Sequence, residues 1–338
     1  MDNPRAGRVS VVIPTAARPD LLEVTLRGVS RQVSRELICE VIVSENLGDR
    51  RSEGVVSKFP ELPIVYKFRD PVFGGLHGGF DHVDALFGEA SGEFVALVCD
   101  DDVWSPGHLA NAVESLDRRP EAVAHFSAVL QAESELAYSA HQWAAPLQWL
   151  AAGRPDRLSE YVYDLPAALA LAWVLTPFHW STLVGRREQM VTAGPAMAAV
   201  PHPYYGDRML ILALAELGSL VFDPAVDTLY RVYQGNWVAS QDPFYLKGLI
   251  GECEVAIAER ASELGIDLPA LWRSFLKNTP EAIGADAKAW LIGRFTPEEM
   301  VRYGLAPLLP ADAPRRALAV RAAKRLRNAA RALMGRSS

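Results

Sequence analysis

Apolar and polar positions in this chain fall into blocks whose period changes along the sequence. Val9-Ser-Val-Val-Ile-Pro14 is a nearly continuous apolar run, the pattern of a strand buried on both faces. Pro19 to Gln32 has helical spacing and offers Leu21, Leu22, Val24, Leu26 and Val29 to an inner face. Glu40-Val-Ile-Val-Ser44 and Pro63-Ile-Val-Tyr-Lys-Phe68 predict a second and a third strand. A Gly-rich loop, Phe73 to Phe80, leads into a helix reaching about Ala90, and Phe94-Val-Ala-Leu-Val-Cys99 predicts a fourth strand. Repeated β-α-β units of this kind imply an α/β fold with a doubly wound, mainly parallel sheet and helices on both faces.

Beyond about residue 130 the pattern loosens. The stretch 131 to 205 is irregular and rich in Trp, His, Tyr and Pro. Aromatic rings with polar handles suit a sugar pocket, although any one of them more simply fills core. Leu165 to Gly185 carries no formal charge, but Pro166 and Pro177 bracket its continuous apolar part. That part falls short of the roughly 20 residues a membrane span needs, so a buried helix followed by a strand is expected. Asp207 to Leu217 is a helix by its apolar spacing, and about 243 to 303 is helical in composition.

The segment Pro314 to Arg336 holds eight Arg or Lys and no acid. Leu318, Ala322, Leu326, Ala329 and Leu333 share one helical face, while Arg321, Lys324, Arg325, Arg327 and Arg331 lie opposite. This pattern suits weak peripheral contact with an anionic bilayer, and equally a helix docked on its own domain with a solvated basic face.

Composition narrows the classes. Half of the 338 residues are hydrophobic and 22% are charged, so the chain folds into a globular protein. A net charge of -7 argues against nucleic acid as the main partner. Cys39, Cys99 and Cys253 lack metal-site spacing and read as reduced thiols of a cytoplasmic protein. The N-terminus passes directly from a polar tip into the first strand, so no signal peptide is expected.

The fourth strand ends in three adjacent carboxylates, Asp100, Asp101 and Asp102, with no cation near them in sequence. Three neighbouring anions repel and resist desolvation, and a bound cation relieves that. The carboxyl end of a strand in an open α/β sheet is where ligands collect. The triplet therefore reads as a hard-metal site for Mg²⁺ or Mn²⁺ facing a phosphorylated substrate, against the simpler reading of an acidic turn capping a helix near Pro106. A dehydrogenase would need G-x-G-x-x-G after the first strand, and Pro14-Thr-Ala-Ala-Arg18 has no glycine. His77-Gly78-Gly79 could form an esterase oxyanion loop, but the chain has no G-x-S-x-G elbow.

Four features occur in order: Val9-Ser-Val-Val-Ile-Pro-Thr15, Val43-Ser-Glu-Asn46, Ala90-Ser-Gly-Glu93 leading to Asp102, and Gly206-Asp207 opening a helix. Together they resemble glycosyltransferase family 2, over about residues 8 to 235. The resemblance implies a GT-A-type fold for about 1–240, with a donor part (about 1–130) and an acceptor part (about 131–240). A helical accessory region (241–313) and the basic amphipathic C-terminal helix (314–338) would follow.

The activity implied is an inverting transfer from a nucleotide-diphosphate sugar, a UDP-sugar first, to a carbohydrate, lipid-linked or small-metabolite acceptor. On this resemblance Pro14, Thr15, Ala16 and Arg18 border the nucleotide and Glu45 receives a hydrogen bond from its base. Asp100, Asp101 and Asp102 hold the donor, and Asp102 with Asp100 binds the divalent metal, Mn or Mg. Asp207 is the general base, and His179 and Trp180 sit on the acceptor side. Ser44, Gly206 and Tyr233 stand where the family carries an Asp, a Glu and a metal-shell His. Those departures keep a non-catalytic nucleotide-sugar-binding protein as the alternative. Homo-oligomer formation and contact with the inner membrane face are left open.

Overall fold

The computed structural model describes residues 9–75, 78–133, 138–139, 160–174, 178–199, 206–232 and 243–278. Its strands are β1 (Val9–Ala16), β2 (Ile38–Leu47), β3 (Ile64–Phe68), β4 (Phe94–Leu97), β5 (Val103–Trp104), β6 (Ala122–Glu133), β7 (Tyr138–Ser139), β8 (Tyr161–Tyr163), β9 (Val184–Arg186) and β10 (Ser219–Val232). The helices are α1 (Pro19–Ser30), α2 (Arg51–Val56), α3 (Gly78–Glu89), α4 (His108–Arg118), α5 (Leu165–Val174), α6 (Arg187–Ala193), α7 (Gly206–Leu217), α8 (Pro243–Glu263) and α9 (Leu268–Asn278). Two compact units divide at Leu264/Gly265, with α9 in the second, where it buries Leu268 and Trp272.

One sheet runs β3-β2-β1-β4-β9-β6-β10-β5, with β7 beside β6 and β8 beside β10. The long ladders are parallel, β1 with β2 and β4, β2 with β3, and β6 with β10. Strands β5, β7, β8 and β9 add short antiparallel ladders. The expected mainly parallel α/β fold is therefore present, with antiparallel strands worked into its second half. β1 is central because its apolar residues can be covered from both sides. Val9, Val11, Val12 and Ile13 are all fully buried, and each such side chain contributes about 1.5–3 kcal/mol relative to exposure.

The helices follow from sequence in the same way. α1 begins on Pro19, where the missing N–H costs nothing, and buries Leu22, Leu26 and Val29. Val24, offered to the inner face by the sequence pattern, is exposed instead. α5 is apolar all round, and Ala168 through Trp173 are fully buried, as such a helix requires. With β9 after it, the uncharged stretch 165–185 is a core helix and a strand. No helix among the described residues is long and apolar enough to cross a membrane. All three cysteines are free thiols.

The topology also positions a site. Chain order leads from β1 outward to β2 and β3 on one side, while β4 lies on the other. The carboxyl ends of β1 and β4 thus form a switch-point crevice, where ligands of open α/β sheets bind.

Candidate active site

Thr15, near the end of β1, stands between the other two parallel strand ends. It pairs in register with Glu45 of β2, and its hydroxyl donates to Asp100 Oδ2 at 2.6 Å. Pro14 and Ala16 flank it, paired with Ser44 and Leu47. Arg18, in the turn before α1, donates from Nε to Asp100 Oδ2 at 3.1 Å and from Nη1 to Asp101 Oδ2 at 3.0 Å, and its Nη2 also bonds Asp100. Asp100 is fully buried, and burial raises its pKa to about 6 despite Arg18 and Thr15.

Asp102 is equally enclosed. Its Oδ2 accepts the Ser181 hydroxyl at 2.5 Å and its Oδ1 the backbone N–H of Arg231 at 3.2 Å. Its carbonyl accepts Thr25 Oγ1 at 2.8 Å. Burial, reinforced by repulsion from Asp101, pushes its pKa up to about 7. Arg231 itself reaches the carbonyls of Asp101 and Leu21. The expectation that the triplet lacks a cation is therefore corrected, because Arg18 and Arg231 both sit against it. Their contact with the triplet was invisible in sequence, since they lie 82 and 130 positions from the groups they hold.

The oxygens able to share a cation are those of Asp101 and Asp102, which with Cys99 Sγ lie within 4.8 Å of one another. Asp100, whose oxygens accept from Thr15 and Arg18, lies outside this group of three. Burial, with Asp102 and Asp101 beside it, raises the Cys99 pKa well above the usual value. Neighbouring carboxylate oxygens of this kind fit a hard divalent cation.

Glu45 is fully buried. Its Oε2 accepts from Tyr66 Oη at 2.7 Å and from Ser52 N at 3.3 Å, while Oε1 has no partner. Gly48, at φ 137°, turns the chain beside it, and a Cβ there would run into Oε1. Ser44, one residue earlier, is a pin rather than a ligand. It bonds His82 Nε2 at 2.7 Å and receives Arg69 Nε at 2.7 Å, and Arg69 forks onto Glu89 at 2.8 Å. Burial and Arg69 lower the His82 pKa to about 4, which keeps the ring neutral. Asn46 holds the following loop through two bonds to the Phe73 backbone.

Asp207 occupies the first turn of α7, half-buried, its Oδ1 accepting the Arg208 N–H at 2.8 Å. Burial raises its pKa. Gly206 has a steric cause: a Cβ there would stand 2.7 Å from Phe80 Cζ and 2.8 Å from the Met197 carbonyl. Phe80 meets Trp180 edge-on at 5.7 Å, and the next residue, Ser181, donates to Asp102. The start of α7 is thereby tied to the carboxylate cluster. Gly206→Ala is expected to destabilise by about 1–3 kcal/mol, as overpacking does, with a lower urea midpoint; an unchanged midpoint would show that Phe80 yields.

His179 lies 4.0 Å from Asp102 through Nδ1, and its ring tilts against Tyr230 at 4.4 Å between centroids. His77 and Tyr233, like 314–338, lie outside the described residues.

A family model, Glycosyl transferase family 2, matches residues 10–181, the span that contains β1, Glu45, the Asp triplet and Ser181. The chain belongs to glycosyl transferase family 2. This family 2 glycosyltransferase has no significantly similar curated sequence. Among solved structures it is similar in fold to S. aureus TarS 1-349 in complex with UDP, at 14% identity and a TM-score of 0.50, covering 93% of this chain and 87% of that one. The TarS 1-349 complex with UDP-GlcNAc gives 15% identity and a TM-score of 0.51, over 88% and 92% of the two chains.

Within the family 2 enzyme the structure gathers Thr15, Arg18, Asp100, Asp101 and Asp102 at one switch point, with Glu45 beside them. Sequence reading missed Ser181, Arg231 and Thr25, which hold Asp102, and Tyr66 and Ser52, which hold Glu45. A serine or a backbone N–H carries no pattern of its own.

Proposed function

We propose that this glycosyltransferase moves a sugar from a nucleotide-diphosphate donor to an acceptor hydroxyl with inversion, assisted by Mn²⁺ or Mg²⁺ on Asp102 and Asp101. One observation carries the reading: Glu45 Oε1 is a buried carboxylate oxygen without a partner, one strand from Asp100 and bridged to it through Thr15. Neighbouring strands stand about 4.8 Å apart, so a nucleoside lying across β1 can offer a ring N–H to Glu45 while its diphosphate reaches the Asp cluster. Uracil and guanine both have such an N–H. The TarS complexes with UDP and UDP-GlcNAc place UDP first in the panel to be tried.

The cation, when bound, offsets the charge of the departing diphosphate. The protein's own groups do the rest. Arg18, the more exposed partner of its ion pairs with Asp100 and Asp101, can turn one N–H toward phosphate. Asp207 takes the acceptor proton as the acceptor attacks C1 from the face opposite the diphosphate, and burial has already raised its proton affinity. His179 and Trp180, both half-buried, border the acceptor side. An acceptor of carbohydrate, lipid-linked or small-metabolite type suits them, and the accessory region 241–313 contributes to its choice.

Isothermal titration with UDP-, GDP- and dTDP-sugars in Mn²⁺ tests the reading. One donor class is expected to bind, and only with metal present. Glu45→Gln should weaken that donor by about 1.5–3 kcal/mol, the worth of a hydrogen bond to a charged group, and blunt discrimination between bases. Equal affinity for all bases in the wild type would remove Glu45 from this role.

A further inference from the structure

A second cluster lies on the other half of the sheet, around His125 of β6. His125 is fully buried, and neither ring nitrogen has a hydrogen-bond partner. An imidazole stripped of water on both sides is costly unless something else uses its lone pair. Two carboxylates stand within reach. Asp223 lies on β10, and Glu160 immediately precedes β8, whose Tyr161 pairs with Phe222. One ligand atom from each of His125, Glu160 and Asp223 lies within 4.8 Å of the others. Asp227 beside them accepts from His108, Ser127 and Thr228 through Oδ1, while its buried Oδ2 has no partner.

The chemistry of the three groups agrees. A neutral imidazole offers a nitrogen lone pair to a cation. Asp223 Oδ1 accepts the Ala225 N–H at 2.8 Å. Glu160 is held by Arg118 at 3.2 Å and by Arg119, so a cation would share that carboxylate with two guanidiniums. A cavity of about 550 Å³, lined in part by Asn111, Arg118, Arg119, Glu160 and Asp223, brings solvent to the two carboxylates, with His125 buried behind them.

We propose that His125, Glu160 and Asp223 form a second metal site, distinct from the carboxylates after β4, for a divalent transition cation such as Zn²⁺. One imidazole with two carboxylates is a nitrogen–oxygen set that Zn²⁺ accepts, and three protein ligands leave a fourth position toward the cavity. In a tetrahedral site ligand atoms about 2 Å from zinc stand roughly 3.3 Å apart, so side-chain rotation is enough to complete the shell.

The test uses full-length protein in two backgrounds, wild type and Asp102→Asn, the second removing a ligand of the donor-site cation. Each is titrated with Zn²⁺ calorimetrically and with Co²⁺ followed by its visible d–d absorption. In both backgrounds Asp223→Asn is expected to lower the stoichiometry by one ion and to remove the absorption of a low-coordinate, nitrogen-ligated Co²⁺. His125→Gln should do the same. Asp223 is half-exposed, so its variant folds even if the buried His125 change does not, and a thermal melt verifies this. The proposal is overturned if Asp102→Asn protein binds neither ion, or if Asp223→Asn leaves stoichiometry and spectrum unchanged.

Discussion

Asp102→Asn is expected to lower sugar transfer by about three orders of magnitude and to abolish metal-dependent donor binding, while leaving the fold intact. The magnitude is that of removing a preorganised electrostatic group from a reaction centre, about 4 kcal/mol. Asn keeps the volume, and its Oδ1 can still accept the Arg231 N–H while its NH2 donates to the Ser181 hydroxyl oxygen, so lost packing does not explain the loss. A second readout has the opposite sign. Because the Asp102 pKa in the folded protein, about 7, lies above its ordinary value, the folded state binds the proton more tightly than the unfolded chain. Without metal, stability therefore falls as pH rises through about 7 and recovers below it. Asp100, raised to about 6, acts in the same direction. Above pH 7 in EDTA, Asp102→Asn should melt no lower than the wild type, and the gap in its favour should narrow as pH falls from about 7 and close near the ordinary carboxylate value of 3.8. Full activity of the wild type in EDTA would leave the triplet as a helix-capping turn.

Asp207→Asn is expected to leave donor affinity nearly unchanged and to cut turnover by about two to four orders of magnitude, the usual scale for a positioned base. The choice of Asn separates two roles. Asparagine satisfies N–H groups in the first turn of a helix about as well as aspartate, so the bond to Arg208 N–H survives and the start of α7 stays formed. What disappears is proton uptake. Stability should hold while turnover falls, and NMR of the wild-type product should show the anomeric configuration opposite to the donor. Turnover within a factor of about three of wild type would assign Asp207 to capping alone, and a retained configuration would exclude single displacement.

Legibility was uneven along the chain. β1, β2 and β4 could be read because strands buried on both faces need unbroken apolar runs, and those runs are local. The charged end of β4, the Asp triplet, was readable for the converse reason: a buried strand does not end in carboxylates without cause, whereas Glu45 was singled out only by the resemblance. β5, β8 and β9 are two or three residues long and antiparallel, with too few side chains to establish a period. The helix spacing of α1 placed Val24 inward, yet the sheet covers a narrower arc and leaves it exposed.

The sequence by itself determined the α/β class, the family, the carboxylates after β4 and the acid at the start of α7, since each rests on residues adjacent in the chain. Tertiary structure decided what holds each of those carboxylates. Thr15 and Arg18 bond Asp100, Ser181 and the Arg231 N–H bond Asp102, and Phe80 fills the space that would otherwise admit a side chain at 206. It also decided that Glu45 keeps one oxygen unpartnered and that His125 stands bare between two acids. The reason is physical: whether a polar group is satisfied depends on what surrounds it in space, and these neighbours come from strands and turns distant in the chain.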